Sequence, residues 1–317
     1  MRAPPPSGRQ HRIAFGRSHA VVTEVGATLR ELELGGRTVV DGFAETAMCT
    51  GYRGVPLLPW PNRIEDGRYA FDGREHQLPI DRPAEHNAIH GLGTWERWQL
   101  VASTPSAVRL GLDLAPRPGY PFVLGLVIEY LLDEAGLAVT IRATNAGADP
   151  LPFGAGHHPY FMPRASLGAA RLRVPATTYL PPGARGLPGA ETAVADTAFD
   201  LRRGRTIDDL QLDHCFGALE RGADGRARIE LDDLVLWMDA GFRWVQLYSG
   251  DKLPEGERRR SLAIEPMTCP PNAFRSGRDL LVLRPGEQVE LRWGMELLGE
   301  AAEEEARDGK ERKTAGR

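Results

Sequence analysis

The stretch GAGHHPYFMP, residues 154 to 163, sets His157 and His158 side by side, and far along the chain Glu265 closes the apolar run Leu262-Ala263-Ile264, just before Pro266. An imidazole gives and takes protons near neutral pH, and a carboxyl among apolar neighbours is pushed up by desolvation. Together they are the two kinds of group that general acid/base catalysis needs. In an extended segment successive side chains face opposite sides, so one pocket recruits only one of the two histidines. Residue chemistry alone leaves open which one.

Three other places carry polar chemistry. In PLLPWPNRIEDG, residues 56 to 67, prolines around Trp60 stiffen a loop that presents Asn62 and Arg63. A guanidinium offers five fixed donors and suits several hydroxyls or a carboxylate; the bland alternative is a surface arginine paired with Glu65 or Asp66. In EHNAIHGLG, residues 85 to 93, His86 and His90 lie four apart. On a helix they could share a metal, with His76 upstream, but Gly91 and Gly93 and the lack of a nearby third ligand favour a hydrogen-bonding histidine on a loop. Asp213 and His214 in LDHCF sit between apolar neighbours, where a carboxylate must be hydrogen-bonded to protein donors or to ligand hydroxyls.

Familiar templates are missing. The sequence holds no G-x-S-x-G elbow, no Walker loop and no G-x-G-x-x-G after a strand. Cys49, Cys215 and Cys269 are odd in number and have no C-x-x-C spacing, which argues for reduced, mostly buried thiols.

The elements that must position these groups read as strands. Leu32-Glu33-Leu34, Gly35-Gly36 and Val39-Val40 predict a hairpin, as do Tyr69 to Phe71, Asp72-Gly73 and His76 to Leu78. Val108, Leu110, Leu112 and Leu114 alternate with polar or small residues. Phe122 to Leu132 is a stronger apolar run that predicts coverage on both faces, and Leu137, Val139 and Ile141 form its return strand. Ile229 to Met238, Trp244 to Tyr248, Leu280 to Leu283 and Val289 to Leu297 continue the series, and no long segment has helical period. Many short strands between frequent turns predict an all-β fold, a large antiparallel β-sandwich.

One domain over residues 11 to 299 follows, because no linker divides it. Residues 1 to 10 and the charged tail 300 to 317 are expected to be flexible. The 39 basic and 43 acidic side chains are interspersed, which excludes a basic stripe for nucleic acid. No apolar run is long enough to span a bilayer, and MRAPPPSGRQ lacks the apolar core of a secretory signal, so a cytoplasmic location without membrane association is expected.

Taken in order, NRI at 62 to 64, HG at 90 to 91, HPYF at 158 to 161, DH at 213 to 214 and the Glu265 that follows an apolar strand resemble the landmarks of the aldose 1-epimerase (galactose mutarotase) family. The resemblance covers nearly all of residues 11 to 299. It implies a large antiparallel β-sandwich with an open sugar-binding cleft, no cofactor, no metal, and interconversion of the α and β anomers of a free hexose. It further implies that His158 is the general acid, Glu265 the general base, and Arg63, His90 and Asp213 the sugar-binding residues. A small-molecule sugar is then the expected partner, with the chain a monomer or homodimer.

Departures accompany the match. His157 stands where many members carry Asn, Met162-Pro163 replaces Asn-Leu, and Leu92 replaces a second glycine. Two alternatives therefore stand beside the free-aldose reading. One is a hexose-6-phosphate 1-epimerase using Arg275 and Arg278; the other is a non-catalytic sugar-binding protein of the same fold.

Overall fold

Alternation of apolar and polar residues over 107 to 145 folds as a three-strand antiparallel meander in a computed structural model that describes residues 5–298. Leu126, Ile128, Tyr130 and Leu132 are buried on one face of strand Leu124–Asp133, opposite Ala143, Ile141, Val139 and Leu137 of strand Gly136–Asn145. The other face is only half covered: Val127, Glu129 and Leu131 are partly exposed, and Arg109 pairs with Glu129 there. The expectation of burial on both faces is thus corrected, because that face meets solvent rather than a second layer.

This meander is the start of a nine-stranded antiparallel sheet. Its order is Gln99–Ser103, Ala107–Leu114, Leu124–Asp133, Gly136–Asn145, Gln288–Leu297, Leu234–Met238, Ala227–Leu231, Arg171–Arg173 and Arg205–Thr206. The run from Ile229 to Met238 is therefore two strands, not one. Asp232-Asp233 turns the chain between them, with Asp232 at φ 56°, a conformation Asp tolerates better than most residues.

A second, eight-stranded sheet carries the candidate site. It runs Thr192–Ala193, Ala176–Leu180, Asp213–Leu219, Trp244–Tyr248, Leu262–Met267, Gly156–His157 and Pro56–Leu57, with Tyr160–Phe161 pairing beside Gly156–His157 on strand Leu262–Met267. Apolar residues of both sheets merge in one core, and a polar link crosses it: Trp293 of the larger sheet donates its indole N–H to His157 Nδ1 at 3.2 Å. Two facing antiparallel sheets around one core make the molecule the β-sandwich that the strand pattern predicts.

Residues Gln10–Phe15, Ser18–Thr23, Leu29–Leu34 and Arg37–Thr38 add a four-stranded sheet, whose last hairpin turns through Gly35 and Gly36 at φ 60° and 88°. Residues 5 to 10 of the expected flexible segment are tied down instead: Ser7 is buried, its carbonyl accepts from Val25 N–H, and the Arg9 carbonyl accepts from Glu24 N–H. Residues 1 to 4 and the tail 300 to 317 lie outside the described residues. Among the described residues the only α-helix is the single turn Ala273–Ser276, and no helix is long and apolar enough to cross a membrane.

Candidate active site

The two histidines that open the sequence question part company at the end of strand Gly156–His157. His157 turns into the sandwich and is fully buried. Because the Trp293 indole can only donate, His157 Nδ1 is the acceptor, so Nε2 carries the proton and donates to the Gly54 carbonyl at 3.0 Å. Burial holds its pKa down to about 3, and the ring stays neutral. His158 turns the other way, into an open cleft of about 370 Å³ on the outer side of the eight-stranded sheet.

The backbone fixes His158 at both ends: its N–H donates to the Val55 carbonyl and its carbonyl accepts from Gly54 N–H. Its ring stacks on Tyr160 at 5.0 Å and meets the edge of His90 at 5.2 Å. The small residues before it now have a reason. A Cβ on Gly156 would sit 2.9 Å from the Pro61 side chain and 3.1 Å from the Pro266 carbonyl, so only glycine lets this strand lie against its neighbours.

Glu265 lies in mid-strand, since Leu262–Met267 continues through Pro266, rather than at the strand end expected from the proline. It is 2% exposed, and its Oε1 lies 3.3 Å from His158 Nε2. Burial pushes its carboxyl well above the usual range; the negative charge of Asp213 adds to this and Arg63 opposes it. His158 is pushed down to about 3 by burial, with Arg53 and Arg82 acting in the same direction. Glu265 Oε2 and His158 Nδ1 have no hydrogen-bond partner in the protein.

Arg63 opens strand Arg63–Glu65. Its partner is not the acid pair two and three residues on, because Glu65 and Asp66 are engaged by Arg185 and Arg275. Asn62, at φ 56°, caps the Arg63 N–H with its side chain and exchanges bonds with His90. Asn62 N–H donates to His90 Nδ1 at 3.2 Å, and His90 N–H donates to the Asn62 carbonyl. His90 is therefore the Nε2–H tautomer, kept neutral by burial, with a donor left for the cleft it lines.

Asp213 begins strand Asp213–Leu219 and is held by protein donors, Gln246 Nε2 at 3.1 Å and Lys252 Nζ at 3.4 Å. His214 faces away and packs on Phe199. Arg63, His90, His158, Asp213 and Glu265 thus all line one cleft.

Other candidates do not come together there. His86 is exposed and bonded to Asp66, and His76 stacks on Tyr69, so the spacing of four before His90 makes no metal site. Among the described residues a different trio, His90, His158 and Glu265, has ligand atoms within 4.8 Å of one another and could hold an ion. Arg275 pairs with Glu65 and Asp66, while Arg278 pairs with Glu191 and covers Trp244; neither lines the cleft.

Sequence reasoning missed Tyr52, Arg82, Gln246, Tyr248 and Lys252, which also line the cleft. Gln246 carried a signal, an amide inside the apolar strand WVQLY. The others come from loops or strand ends where residue type gives no hint.

A loop also walls the site. Gly186, at φ 71°, crosses over Arg63 so closely that a Cβ would lie 2.8 Å from its guanidinium carbon. Arg185 fastens this loop: its side chain donates to the carbonyls of Glu85 and His86 and to Asp66, while its carbonyl accepts from Asn87.

Comparison with known proteins gives the family. Residues 9–296 match the family model described as aldose 1-epimerase. The chain belongs to the aldose 1-epimerase family.

Members of this family are isomerases of the racemase and epimerase class. Among relatives, the uncharacterized protein YihR of Escherichia coli (strain K12) is 35% identical over 90% of this chain and 92% of its own. Human galactose mutarotase is 30% identical over 84% and 86%. Among solved structures, galactose 1-epimerase from Lactobacillus acidophilus has a TM-score of 0.77 at 23% identity, covering 92% of this chain and 95% of its own. The aldose epimerase homologue from C. elegans gives 0.80 at 20%, covering 92% and 99%. At those identities the structural likeness speaks for the epimerase fold.

Proposed function

We propose that this isomerase interconverts the α and β anomers of a hexose, with Glu265 as general base and His158 as general acid. The observation that carries the reading is the contact between the two groups, Nε2 to Oε1 at 3.3 Å, on the wall of an open cleft. A cyclic hemiacetal has its ring oxygen and its C1 hydroxyl on one carbon. An acid and a base whose heads lie side by side therefore serve both oxygens of one substrate.

Glu265 takes the proton of the C1 hydroxyl as His158 protonates the ring oxygen, and the C1 to ring-oxygen bond breaks to give the open-chain aldehyde. Rotation about the C1–C2 bond and reclosure with the roles reversed gives the other anomer. Each proton transfer contributes about 10² to 10⁴ in rate.

The opposed directions of the two pKa values fit this cycle. A protonated carboxyl beside a neutral imidazole and a carboxylate beside an imidazolium are two tautomers of one pair with the same net charge. Burial favours the first, while Arg63 favours the carboxylate. Arg63, His90 through its Nε2–H, and Asp213 supply donors and an acceptor for sugar hydroxyls.

A binding protein without turnover needs no such pair, which disfavours that alternative. Polarimetry on freshly dissolved α-glucose and α-galactose tests the proposal. Faster approach to the equilibrium rotation than in buffer supports it; a rate equal to buffer on both excludes these substrates.

A further inference from the structure

We infer that the cleft is built for an aldose carrying an anionic substituent on a carbon other than C1, and that Arg82 is the residue that receives it. The inference rests on the mutarotase reading of the same cleft and goes beyond it by naming the charge of the substrate.

The argument starts from what Arg82 lacks. It lines the cleft, and its guanidinium lies over the Tyr52 ring at 5.4 Å. Its Nε is buried with no hydrogen-bond partner, its other nitrogens reach only the Tyr52 hydroxyl, and among the described residues no carboxylate comes within ion-pair distance. The two acids on its own loop, Asp81 and Glu85, form no ion pair with it: Asp81 accepts from Ile89 N–H at 2.9 Å and feels Arg82 only at longer range. Most arginines on the surface of this molecule, such as Arg185, Arg202 and Arg228, grip acids at 2.6 to 2.7 Å. A half-buried guanidinium left without an anion is costly unless a ligand completes it.

Arg82 also differs from Arg63, the other cleft arginine. Arg63 has a counter-charge to act on, since it favours the carboxylate form of Glu265. Arg82 meets its one acid, Asp81, outside the acid/base pair, and within the cleft it acts on His158 and, together with Arg63, on His90, where its charge disfavours protonation. A neutral sugar leaves that penalty on the acid in place. An anion seated on Arg82 cancels it and makes the imidazolium easier to form, so the same contact binds the substrate and prepares the acid. Lys252, paired with Asp213 at 3.4 Å but 78% exposed at the cleft, adds to Arg63 and Arg82 a third, partly balanced positive charge for attraction.

A guanidinium accepts phosphate, sulfate and carboxylate oxygens through parallel N–H bonds. The shared chemistry is an oxyanion, and the assay arms separate its kinds. Dissociation constants are measured by calorimetry at low salt for glucose, glucose 6-phosphate, glucose 6-sulfate and glucuronate, with anomer exchange rates on the same four sugars. The expected result is that at least one anionic sugar binds about tenfold to a hundredfold more tightly than glucose, the range of one charge-assisted hydrogen-bonded pair. Arg82→Gln removes that preference, Arg82→Lys restores part of it, and Arg278→Gln, outside the cleft, leaves it unchanged. Equal affinity for glucose and all three anions overturns the inference, as does a preference that survives in Arg82→Gln. Tight, Arg82-dependent anion binding without exchange on any sugar supports the inference and sinks the mutarotase reading instead.

Discussion

His158 and His157 are neighbours in sequence, yet the first points its Nε2 at Glu265, 3.3 Å away in the cleft, while the second accepts the Trp293 indole at 3.2 Å inside the sandwich. Strand geometry enforces the division, so substitutions at the two positions have different consequences. Glu265→Gln and His158→Asn are each expected to lower kcat by about 10² to 10⁴, the worth of one proton transfer, with sugar binding changed little. Turnover by exchange NMR and affinity by calorimetry on the same samples check this. Full activity in either variant refutes the assigned roles.

His157 is a matter of stability. His90, His157 and His158 are all buried and neutral in the folded chain, with pKa values below the ordinary 6.5. The unfolded chain binds protons at these positions below pH 6.5 and the folded chain does not until near pH 3 for His157 and His158. Their contribution is present above pH 6.5 and is lost as pH falls. At pH 5.5, one unit below, each of them therefore lowers the stability of the fold. Glu265 works in the opposite sense, since its raised pKa lets the fold keep a proton the unfolded chain releases. His11, His76 and His214 are lowered in the same sense, and of the carboxyls raised by burial Asp81 and Asp239 join Glu265; the six histidines outnumber the three acids, so urea midpoints should fall between pH 7.5 and 5.5, and more steeply in Glu265→Gln. Equal midpoints at the two pH values count against the assigned neutral tautomers.

Arg185 holds the loop over Arg63 from a position that touches no part of the acid/base pair. Arg185→Ala frees that loop, and Gly186→Ala drives a methyl toward the Arg63 guanidinium. Both are expected to raise KM about threefold to tenfold with a smaller effect on kcat, because they disturb sugar positioning rather than proton transfer. Steady-state kinetics alongside thermal melting separates this from general destabilisation. A pure loss of kcat, or a melting shift with unchanged KM, contradicts the positioning role.

Much of this was legible in the sequence, and the parts that were not share a physical cause. The meander over residues 107 to 145 was readable because one face is buried and the other wet, so alternation is strong. The break at Asp232-Asp233 was missed because the flanking strands Ala227–Leu231 and Leu234–Met238 are both apolar. Glu265 was found as an acid among apolar residues, but Pro266 misplaced it at a strand end. The pair His157 and His158 could be divided by geometry, though only resemblance said which faced the sugar. Arg82 and Tyr52 gave no signal at all: they reach the cleft from loops, Tyr52 with φ at 57°, and residue type does not encode where such loops fold back.

Metal removal gives a further check. His90, His158 and Glu265 could grip a cation, but in the account above Glu265 and His158 do the chemistry as proton carriers. Treatment with EDTA is expected to leave turnover unchanged, and added Zn²⁺ to inhibit by engaging the same three side chains. Loss of activity on chelation, restored by a metal, contradicts the account.

The central claim is that Glu265 and His158 open and reclose a hemiacetal, and exchange NMR on pure anomers reads that event directly. With an aldose panel that includes neutral and anionic hexoses, the α and β anomeric protons of at least one sugar should exchange faster with enzyme than in buffer, and the acceleration should collapse in Glu265→Gln. No acceleration on any sugar of the panel, or an acceleration that Glu265→Gln retains in full, contradicts it.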